Sequence, residues 1–418
     1  MKKIIFVFPR IHNSLNEIHY PPFGLVEIVS YLKQNNENVL IFDRNLEKNE
    51  EDRLYSLLNT GNFDILAISS MFIQKDDANQ ILKWAQKHFN GKIALGGEYF
   101  TINKELYLNQ ADYIVCGDGE LFFSQLQMTD LERGIYFPES IGKLDCIPIP
   151  DKNLLDSVAW DKNVFSLKTS RGCPFECIFC SYLNNKSKNI RAYSPEYIIS
   201  YMNFIYENYG ISKFRLMDDV FTLDKNRVKN FCKMLRNSKY PFTIEECFSH
   251  VSVNDSLMFR EMYESGFKTI QIGIESLDDS VLKIIGKNIT RGEIQHTIYS
   301  IYNSGLKAEG LYMIGNIGDT YESIYNTIKL AETLPTYKDW FSFACPLPNT
   351  KFYNLAHIHG TIIEKDLNKY TNKSVVFVPN GMTKEELEFL MDEAHKMVIR
   401  KIRKNIKGKT NLNNINYR

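Results

Sequence analysis

Short apolar runs alternate with amphipathic stretches along most of this chain. In the N-terminal part, runs of β-branched and aromatic residues precede stretches whose apolar residues recur at helical spacing, as in residues 24–34. Strands that alternate with helices of this length predict right-handed βαβ units and a parallel sheet. The predicted strands of this part are residues 4–8, 39–42, 65–68, 93–95 and 113–115.

A second alternating series begins near Val164 and continues to Ala344. It contains about six βα units, fewer than the eight of a closed TIM barrel, so we predict a partial barrel. In barrels of this kind the active site lies in the loops that follow the C-terminal ends of the strands. The predicted strands are residues 164–169, 213–217, 242–244, 269–274, 310–314 and 340–344.

The chain is therefore predicted to be an α/β protein with two main domains. Residues 144–160 form the predicted linker, because their prolines disfavour both a helix and a central strand. Apolar periodicity predicts a helix near the C-terminus, over residues 384–403. The predicted parts are a doubly wound, flavodoxin-like parallel sheet (1–143), the linker (144–160), a partial (β/α)6 barrel (161–355) and a small helical C-terminal segment (356–418).

The charge balance favours no class of charged partner. Lys and Arg together number 50, as do Asp and Glu, so no overall field attracts nucleic acid. The basic residues between Arg400 and Lys409 are more typical of a solvated helix face than of a nucleic-acid site. The apolar run at residues 4–8 is too short for a signal peptide, and no stretch has the length of a membrane span. We expect a cytoplasmic protein that does not bind nucleic acid.

Three of the eight cysteines are clustered, at Cys173, Cys177 and Cys180, with the spacing C-x₃-C-x₂-C. Structural zinc takes four protein ligands, and no fourth ligand follows at a metal-site interval. A four-iron cluster held by three thiolates leaves one iron open, so the spacing favours a reactive iron–sulfur cluster. Zinc completed by a distant histidine, or simple burial of the thiols, are the alternatives. The five scattered cysteines are expected in the core.

This loop, with aromatic Phe179 before its third cysteine, resembles the signature of the radical S-adenosylmethionine (SAM) enzymes. The flanking sequence resembles the subgroup with an N-terminal cobalamin-binding domain. The order and spacing of several weak motifs carry this resemblance over nearly the full length. These motifs are residues 21–25, 95–97, 117–120, 214–221, 273–276, 313–320 and 346–350.

The resemblance implies a 4Fe–4S cluster on the three cysteines, with SAM chelated to the open iron. Asp218 and Asp219 would receive the SAM ammonium, although acidic residues at strand ends also form ordinary turns. Glu275 would bond the SAM ribose or amine, the alternative being a solvated carboxylate. Where many relatives have an arginine that meets the SAM carboxylate, this chain has His250, whose charge depends on pH.

The resemblance also assigns residues to the SAM adenine. Phe179 would form a wall of the adenine pocket, the alternative being core packing. Gly315 and Asn316 would let the backbone approach the base, since glycine permits such close contact. An ordinary turn between strand and helix would explain the same two residues.

Cobalamin is the third implied cofactor. Ser69, Gly96 and Gly97 lie where its nucleotide tail would bind, although any flavodoxin-like domain has small residues at strand ends. The Asp-x-His-x-x-Gly motif that ligates cobalt from below is missing from residues 1–143, whose only histidines are His12, His19 and His88. Members of the subgroup often bind cobalamin without that ligand, so the cofactor remains expected.

The function implied is that of a radical SAM enzyme, specifically a cobalamin-dependent C-methyltransferase acting on a small metabolite, lipid or peptide. An electron donor such as flavodoxin or ferredoxin would be its partner. One alternative is a cobalamin-independent radical SAM enzyme catalysing rearrangement, epimerisation, cyclisation or thioether formation. The other is a non-catalytic iron–sulfur or zinc protein.

Overall fold

The computed structural model describes residues 1–11, 20–35, 38–46, 50–181 and 189–413. The predicted site residues all lie in these ranges, whereas His12 and His19 lie outside them. The chain forms two compact units, the first made of residues 1–168 and 184–211, the second of residues 169–183 and 212–418. The first unit includes the predicted linker, and the predicted domain limits at residues 143, 160 and 355 stay predictions.

Strands and helices alternate in both units. The strands are β1 (Ile4–Phe8), β2 (Val39–Asp43), β3 (Ile65–Ser69), β4 (Lys92–Gly96), β5 (Tyr113–Val115), β6 (Gly134–Tyr136), β7 (Phe165–Leu167), β8 (Ser170–Arg171), β9 (Arg191–Ala192), β10 (Lys213–Leu216), β11 (Thr243–Ser249), β12 (Phe267–Glu275), β13 (Lys307–Ile314), β14 (Lys338–Phe343), β15 (Gly360–Ile362) and β16 (Phe377–Pro379). The helices are α1 (Phe23–Lys33), α2 (Glu50–Thr60), α3 (Lys75–His88), α4 (Gly97–Ile102), α5 (Lys104–Tyr107), α6 (Glu120–Met128), α7 (Lys152–Asp156), α8 (Pro195–Tyr209), α9 (Lys225–Arg236), α10 (Ser256–Glu264), α11 (Asp279–Ile284), α12 (Arg291–Ser304), α13 (Tyr321–Thr333), α14 (Lys351–His359) and α15 (Lys384–Asn413).

The first unit is built on a parallel sheet with the strand order β2-β1-β3-β4-β5-β6. Strand β1 is buried along its whole length, as expected for a central strand with helices on both faces. The chain reverses direction across the sheet between β1 and β3, and ligands of doubly wound sheets bind at such a switch point. Sequence analysis did not predict β6, which has only three residues.

The second unit contains five parallel strands in the order β14-β13-β12-β11-β10. The remaining predicted strand of the series, residues 164–169, corresponds to β7. Burial alternates along β13: Gly310 and Tyr312 are buried on one face, whereas Glu309, Leu311 and Met313 are half-buried on the other. The half-buried face is the inner face of the partial barrel, and the predicted α/β class is confirmed.

Local signals explain where several helices of the second unit begin and end. Helix α12 starts at a capping box in which Thr290 and Glu293 exchange hydrogen bonds, and it ends at Gly305 in the left-handed region. The capping carboxylate of Asp255 likewise accepts a bond from the backbone N–H of Met258 at the start of α10. These caps fix the lengths of the helices that pack against the sheet.

Within the second unit, a buried ion pair joins the C-terminal helix α15 to the sheet. Lys401 on α15 lies 2.6 Å from Asp339 on β14 and also donates to the carbonyl oxygen of Ala331 at 2.6 Å. Both charged side chains are buried, so each satisfies the other where water does not reach. The C-terminal segment also contains an antiparallel pair, β15 with β16, that the prediction of a helical segment did not include.

In the part of the chain that the structure describes, no helix combines the length and the apolar character that crossing a membrane requires.

Candidate functional site

The three clustered cysteines lie on the loop that follows β8. Cys177 is buried, and Cys173 and Cys180 are half-buried. Burial raises the pKa of the Cys177 thiol to about 11; Lys287 opposes this rise, and the charges of Cys180 and Cys173 add to it. The three cysteines lie within one short loop, at positions 173, 177 and 180. The thiolate is the form that binds a metal, so a positively charged metal centre would favour the ionised form of this buried thiol.

A single metal ion needs several ligand side chains that converge on one point. Among the described residues, no three His, Cys, Asp or Glu side chains converge on one point that a single metal ion could occupy. A four-iron cluster makes a different demand, because each thiolate binds a different iron atom. Three neighbouring thiols on one loop fit such a cluster.

Asp218 fixes the strand that enters the cysteine loop. Its carboxylate accepts hydrogen bonds from the backbone N–H groups of Thr169 at 2.5 Å and Ser170 at 2.8 Å, and from the Thr169 hydroxyl at 2.5 Å. Burial raises the pKa of Asp218, whereas the Arg227 guanidinium, which also donates to Thr169, opposes the rise. Both carboxylate oxygens are engaged within the protein. Asp219, the other predicted ligand of the SAM ammonium, is half-buried.

The cysteine loop is also bonded to two later segments of the same unit. The Ile178 N–H donates to the Ile285 carbonyl oxygen at 3.0 Å, and the Phe352 N–H donates to the Ile178 carbonyl oxygen at 2.9 Å. Gly286 has a φ of +72°, and a Cβ there would lie 2.9 Å from the Glu176 carbonyl oxygen. The loop therefore lies between elements that appear much later in the sequence.

Phe179 lies in the turn between the second and third cysteines. The turn is closed by the Cys180 N–H, which donates to the Cys177 carbonyl oxygen at 3.1 Å. The ring is half-buried, so part of its surface is open to a ligand. Its role as a wall of the adenine pocket stays a prediction.

Glu275 is a buried carboxylate at the end of β12 with an unusual backbone conformation. Its φ is +65°, in the left-handed region that costs about 1–3 kcal/mol for a residue other than glycine. The Lys287 Nζ lies 3.2 Å from its Oε1, and both atoms crowd Gly273, where a Cβ would come within 2.8 Å of each. The left-handed conformation of Glu275 directs its side chain back over Gly273. Because glycine has no side chain, there is room for the buried ion pair beside the strand.

His250 follows β11 and packs against the cysteine loop. Its ring stacks on Phe175 with 3.6 Å between ring centroids. The Nδ1 atom accepts from the Ser252 N–H at 3.2 Å, which leaves the proton on Nε2. Burial, with a contribution from Lys287, lowers the pKa of His250 to about 3.

The imidazole of His250 is therefore neutral at physiological pH and is a hydrogen-bond donor. Its Nε2 is buried and has no hydrogen-bond partner among the described residues. Buried donors of native proteins are almost always satisfied. The unsatisfied Nε2–H beside the cysteine loop therefore fits an acceptor atom supplied by a bound ligand.

Gly315 and Asn316 form the turn after β13. Gly315 has a φ of +85°, and the N–H groups of both residues donate to the buried carboxylate of Asp319, at 3.1 and 2.8 Å. Burial raises the pKa of Asp319 to about 7. The Asn316 side chain donates to the Met313 carbonyl oxygen. These bonds fix the turn, while its contact with adenine stays a prediction.

A polar row crosses the inner face of the second sheet, one residue from each strand. Glu246 lies between Arg215, at 3.6 Å, and Gln271, at 3.3 Å. Gln271 also donates to Glu309 at 3.4 Å, and the Trp340 indole N–H donates to Glu309 at 3.0 Å. Burial and the nearby Glu309 raise the pKa of Glu246. The charged members of this row are one cation, Arg215, and two carboxylates, Glu246 and Glu309.

A cavity of about 680 Å³ adjoins this row. Strands β12, β13 and β14 contribute much of its wall, including Glu275, Leu311, Met313, Trp340 and Ser342. Apolar side chains with a few polar groups are typical of small-molecule sites. This cavity is the one we consider for a substrate.

In the first unit, the structure brings Ser69, Gly96 and Gly97 together at the carboxyl ends of β3 and β4. Ser69 pairs with Gly96 in the sheet. Gly97 has a φ of +81°, and a Cβ there would lie 2.7 Å from the backbone of Ser70 and 3.0 Å from the Ser69 Oγ. Position 97 therefore requires glycine. Because glycine has no side chain, a ligand can approach the backbone closely there. This small-residue edge at a doubly wound sheet fits the tail of a nucleotide-bearing cofactor.

Sequence analysis did not identify three residues that shape these sites: Arg227, Lys287 and Asp319. Lys287 lies three residues beyond the end of helix α11, and nothing in its local sequence indicates that it is buried. Asp319 follows a glycine in a turn, where acidic residues are ordinary. Arg227 is one of several basic residues on helix α9, and nothing in the sequence distinguishes it from the others.

Comparison with known proteins places the chain among enzymes. The sequence profile of the radical SAM superfamily matches residues 167–331. An uncharacterised methyltransferase of Pyrococcus horikoshii is 28% identical, covering 94% of this chain and 91% of the relative. The anaerobic magnesium-protoporphyrin IX monomethyl ester cyclase of Rubrivivax gelatinosus is 24% identical, covering 92% of this chain and 75% of the relative.

The fold is similar to a solved structure of the radical S-adenosylmethionine methyltransferase TsrM from Kitasatospora setae, which contains cobalamin and a 4Fe–4S cluster. The TM-score is 0.72 and the identity 15%, over 93% of this chain and 84% of that chain. The similarity establishes a shared fold.

Proposed function

Because the radical SAM superfamily profile matches residues 167–331, we propose that this chain is a cobalamin-dependent radical SAM enzyme that methylates carbon. The observation that carries the proposal is the cysteine loop, whose three neighbouring thiols are held between Asp218, Ile285 and Phe352. A 4Fe–4S cluster bound to these cysteines would supply the electron for SAM cleavage, and bound cobalamin would carry the methyl group. Methyltransferase is also the activity in the name of the Pyrococcus relative.

The proposal assigns each candidate residue a task. Cys173, Cys177 and Cys180 hold the cluster. Asp219 and Glu275 receive the polar groups of SAM, and Asp218 holds the strand that positions the cysteines. The neutral Nε2–H of His250 donates to an acceptor on the bound cofactor, and Phe179, Gly315 and Asn316 surround the adenine.

Cobalamin is proposed to bind the first unit at the carboxyl ends of β3 and β4. Ser69, Gly96 and Gly97 line this edge, and the doubly wound order of the sheet puts its switch point at the neighbouring strand β1. The missing Asp-x-His-x-x-Gly motif means that the first domain offers no histidine in that context to cobalt. Cobalamin would therefore be held by contacts to its outer groups and not by a histidine of that motif bound to cobalt.

We propose a small-molecule or peptide substrate in the cavity beside the polar row of the second unit. The electron donor is proposed to be a flavodoxin or a ferredoxin, and the location the cytoplasm. The apolar side chains of Leu311 and Met313 line this cavity beside the polar row, an arrangement that can hold an organic substrate by both apolar and polar contacts.

Anaerobic reconstitution tests the proposal. We expect wild-type protein to take up a 4Fe–4S cluster and cobalamin, seen in the optical spectrum, and to convert SAM to deoxyadenosine and S-adenosylhomocysteine. The triple variant C173A/C177A/C180A should lose iron and both products, while Cys146→Ala, which removes an exposed thiol outside the loop, should retain them. Iron retention by the triple variant would overturn the assignment.

A second candidate function keeps the cluster and SAM but forms a ring instead of adding a methyl group. The Rubrivivax relative, similar over most of the chain, is named as a cyclase. The same assay separates the two functions. Deoxyadenosine without S-adenosylhomocysteine, at any cobalamin content, would favour the second candidate.

A further inference from the structure

Arg10 follows the central strand β1 of the first unit, and the described residues give its charge no acidic partner. Its guanidinium Nη2 atom is buried and has no hydrogen-bond acceptor among them. The Nε atom donates to the Arg44 carbonyl oxygen at 3.5 Å, a long distance for a hydrogen bond. The residue is half-buried, so part of it is open to a ligand. Because buried charged donors of native proteins are almost always paired, this guanidinium lacks an acceptor.

Two buried carboxylates lie near this segment, and both are engaged by other groups. The Asp77 Oδ1 pairs with the Arg44 guanidinium at 2.7 Å, and the Asp77 Oδ2 accepts the backbone N–H of Arg10 at 2.6 Å. The Asp43 Oδ1 accepts from the backbone and the side-chain amide of Asn45, and its Oδ2 accepts a further backbone N–H. Within the described part of the chain, this network therefore provides no counter-ion for the Arg10 side chain.

The backbone that carries Arg10 is held in place on both sides. The Pro9 carbonyl oxygen accepts from the side-chain amides of Gln74 at 2.5 Å and Asn45 at 3.0 Å. The Ile11 N–H donates to the Asn45 Oδ1 at 2.8 Å. The guanidinium therefore projects from a fixed point, and a group fixed in this way loses less conformational entropy when it binds a ligand.

The register of the sheet places Arg10 at the edge that we propose for cobalamin. Val7 of β1 pairs with Ile68 of β3, and Ser69 of β3 pairs with Gly96 of β4. Arg10 therefore follows the carboxyl end of β1, at the same edge of the sheet as Ser69 and Gly96. Strands β1 and β4 are two positions apart, which separates them by about 10 Å. A cofactor with a long tail can span that distance.

We propose that Arg10 binds the phosphate group in the tail of cobalamin. Cobalamin joins its corrin ring to its nucleotide through a phosphodiester, which is a negatively charged acceptor. A guanidinium presents parallel N–H donors that match phosphate oxygens, and such charged hydrogen bonds are stronger than those between neutral groups. The phosphate would supply the acceptor that Nη2 lacks. The inference rests on the proposed function, since it requires cobalamin in the first unit.

Two corrinoids test the proposal by binding alone. Hydroxocobalamin contains the phosphodiester, whereas aquahydroxocobinamide has the corrin ring without the phosphate and the nucleotide. We expect Arg10→Met to raise the Kd for hydroxocobalamin about tenfold or more, as for the loss of a charged hydrogen bond, and to leave the Kd for aquahydroxocobinamide unchanged. Equilibrium dialysis of the full chain measures both constants. Equal effects on the two corrinoids, or no effect on either, would overturn the proposal.

Two further variants provide the controls. Arg10→Lys should bind hydroxocobalamin with an intermediate Kd, because lysine keeps the charge without the planar pair of donors. Arg53→Met removes the same charge from an exposed position on α2 of the same unit and should leave both constants unchanged. A loss with Arg53→Met equal to that with Arg10→Met would mean that net charge, and not a contact at Arg10, determines the affinity.

Inorganic phosphate is a second probe that needs only the wild type and Arg10→Met. At constant ionic strength, phosphate should weaken the binding of hydroxocobalamin to the wild type but not to Arg10→Met. Competition that is equal in both proteins would contradict the proposal. Phosphate that binds at Arg10 while hydroxocobalamin binds both proteins equally would make this a site for free phosphate and overturn the assignment to the cofactor.

The two proposals fail in different ways. If wild-type protein binds neither corrinoid, the proposed cobalamin dependence is wrong and the role of Arg10 is wrong with it. If the wild type and Arg10→Met bind hydroxocobalamin equally well, the proposed function stands and only the role of Arg10 is wrong.

Discussion

The Asp218 carboxylate accepts two hydrogen bonds from Thr169, one from the backbone N–H and one from the hydroxyl, each at 2.5 Å. Thr169 is four residues before Cys173, so the carboxylate fixes the chain just before the first cysteine. The resemblance assigns this strand-end aspartate to SAM, whereas in the structure its carboxylate binds the segment that leads into the cysteine loop. The neighbouring Asp219 is the better candidate for contact with SAM.

Replacing Asp218 should loosen the cysteine loop. Asn in Asp218→Asn has one acceptor oxygen where the carboxylate has two, so at least one N–H or O–H loses its partner. We expect the unfolding free energy to fall by about 2–3 kcal/mol, typical of lost bonds to a buried charge, and iron uptake to fall with it. Urea titration and iron analysis measure the two effects. Asp219→Asn should keep the iron content, and a loss equal to that of Asp218→Asn would contradict this division of roles.

His250 should make stability depend on pH in acid. Its pKa is about 3 in the folded chain and 6.5 ordinarily. Between these values the unfolded chain binds a proton that the folded chain does not, so stability falls as pH decreases from 6.5 towards 3. The contribution is fully present above pH 6.5. Urea titrations at pH 7.5 and pH 5 should show a smaller loss of stability for His250→Gln than for wild type, and equal losses would be the contrary result.

Gly97→Ala should destabilise the first unit and weaken its ligand site. The substitution places a methyl group against Ser70 in a left-handed conformation. Strain of this kind costs about 1–3 kcal/mol, and the steric clash adds to it. Gly210→Ala is the matched control, because Gly210 has a similar φ of +71° in the same unit but a Cβ there meets nothing within 4 Å.

The comparison is made by thermal unfolding and cobalamin titration of both variants. Gly210→Ala should show the cost of φ alone and keep cobalamin binding. If the two variants lose equal stability, the close approach at Gly97 is not what requires glycine.

Lys401→Met should weaken the packing of the C-terminal helix α15 against strand β14 and lower the free energy of unfolding. It leaves Asp339 buried without its cation, and breaking such a pair costs about 3–5 kcal/mol. The double variant K401M/D339N should recover part of the loss. The adjacent exposed pair of Arg400 with Glu332 is the control, since Arg400→Met should cost less than about 1 kcal/mol. Urea unfolding measures all three, and similar losses for Lys401→Met and Arg400→Met would refute the prediction.

The sequence predicts the strands of both sheets well because they are short apolar runs bounded by turn residues. Strand β1 is buried throughout, and its short length and β-branched and aromatic residues favour a strand over a helix. Strand β6 was missed because three half-buried residues carry no period. The segment 144–160, predicted as a linker, contains helix α7, whose Leu154 and Leu155 are buried.

In the candidate site, too, the sequence predicts features that depend on neighbouring residues and misses contacts between residues far apart in the chain. The cysteine spacing is local, so the sequence predicts it directly. The stacking of Phe175 on His250 and the pairing of Glu275 with Lys287 join residues that only the fold brings together. His250 shows the difference: its sequence position suggests a charge that varies with pH, while burial keeps the ring neutral.

The hydrogen bond from Phe352 to Ile178 bears on how the protein is made. During synthesis the cysteines leave the ribosome long before residue 352 is translated, so the loop can make this contact only after the elements from α8 to β14 have been made. A nascent chain that does not yet include α14 therefore has its cysteines in place without this hydrogen bond to hold the loop.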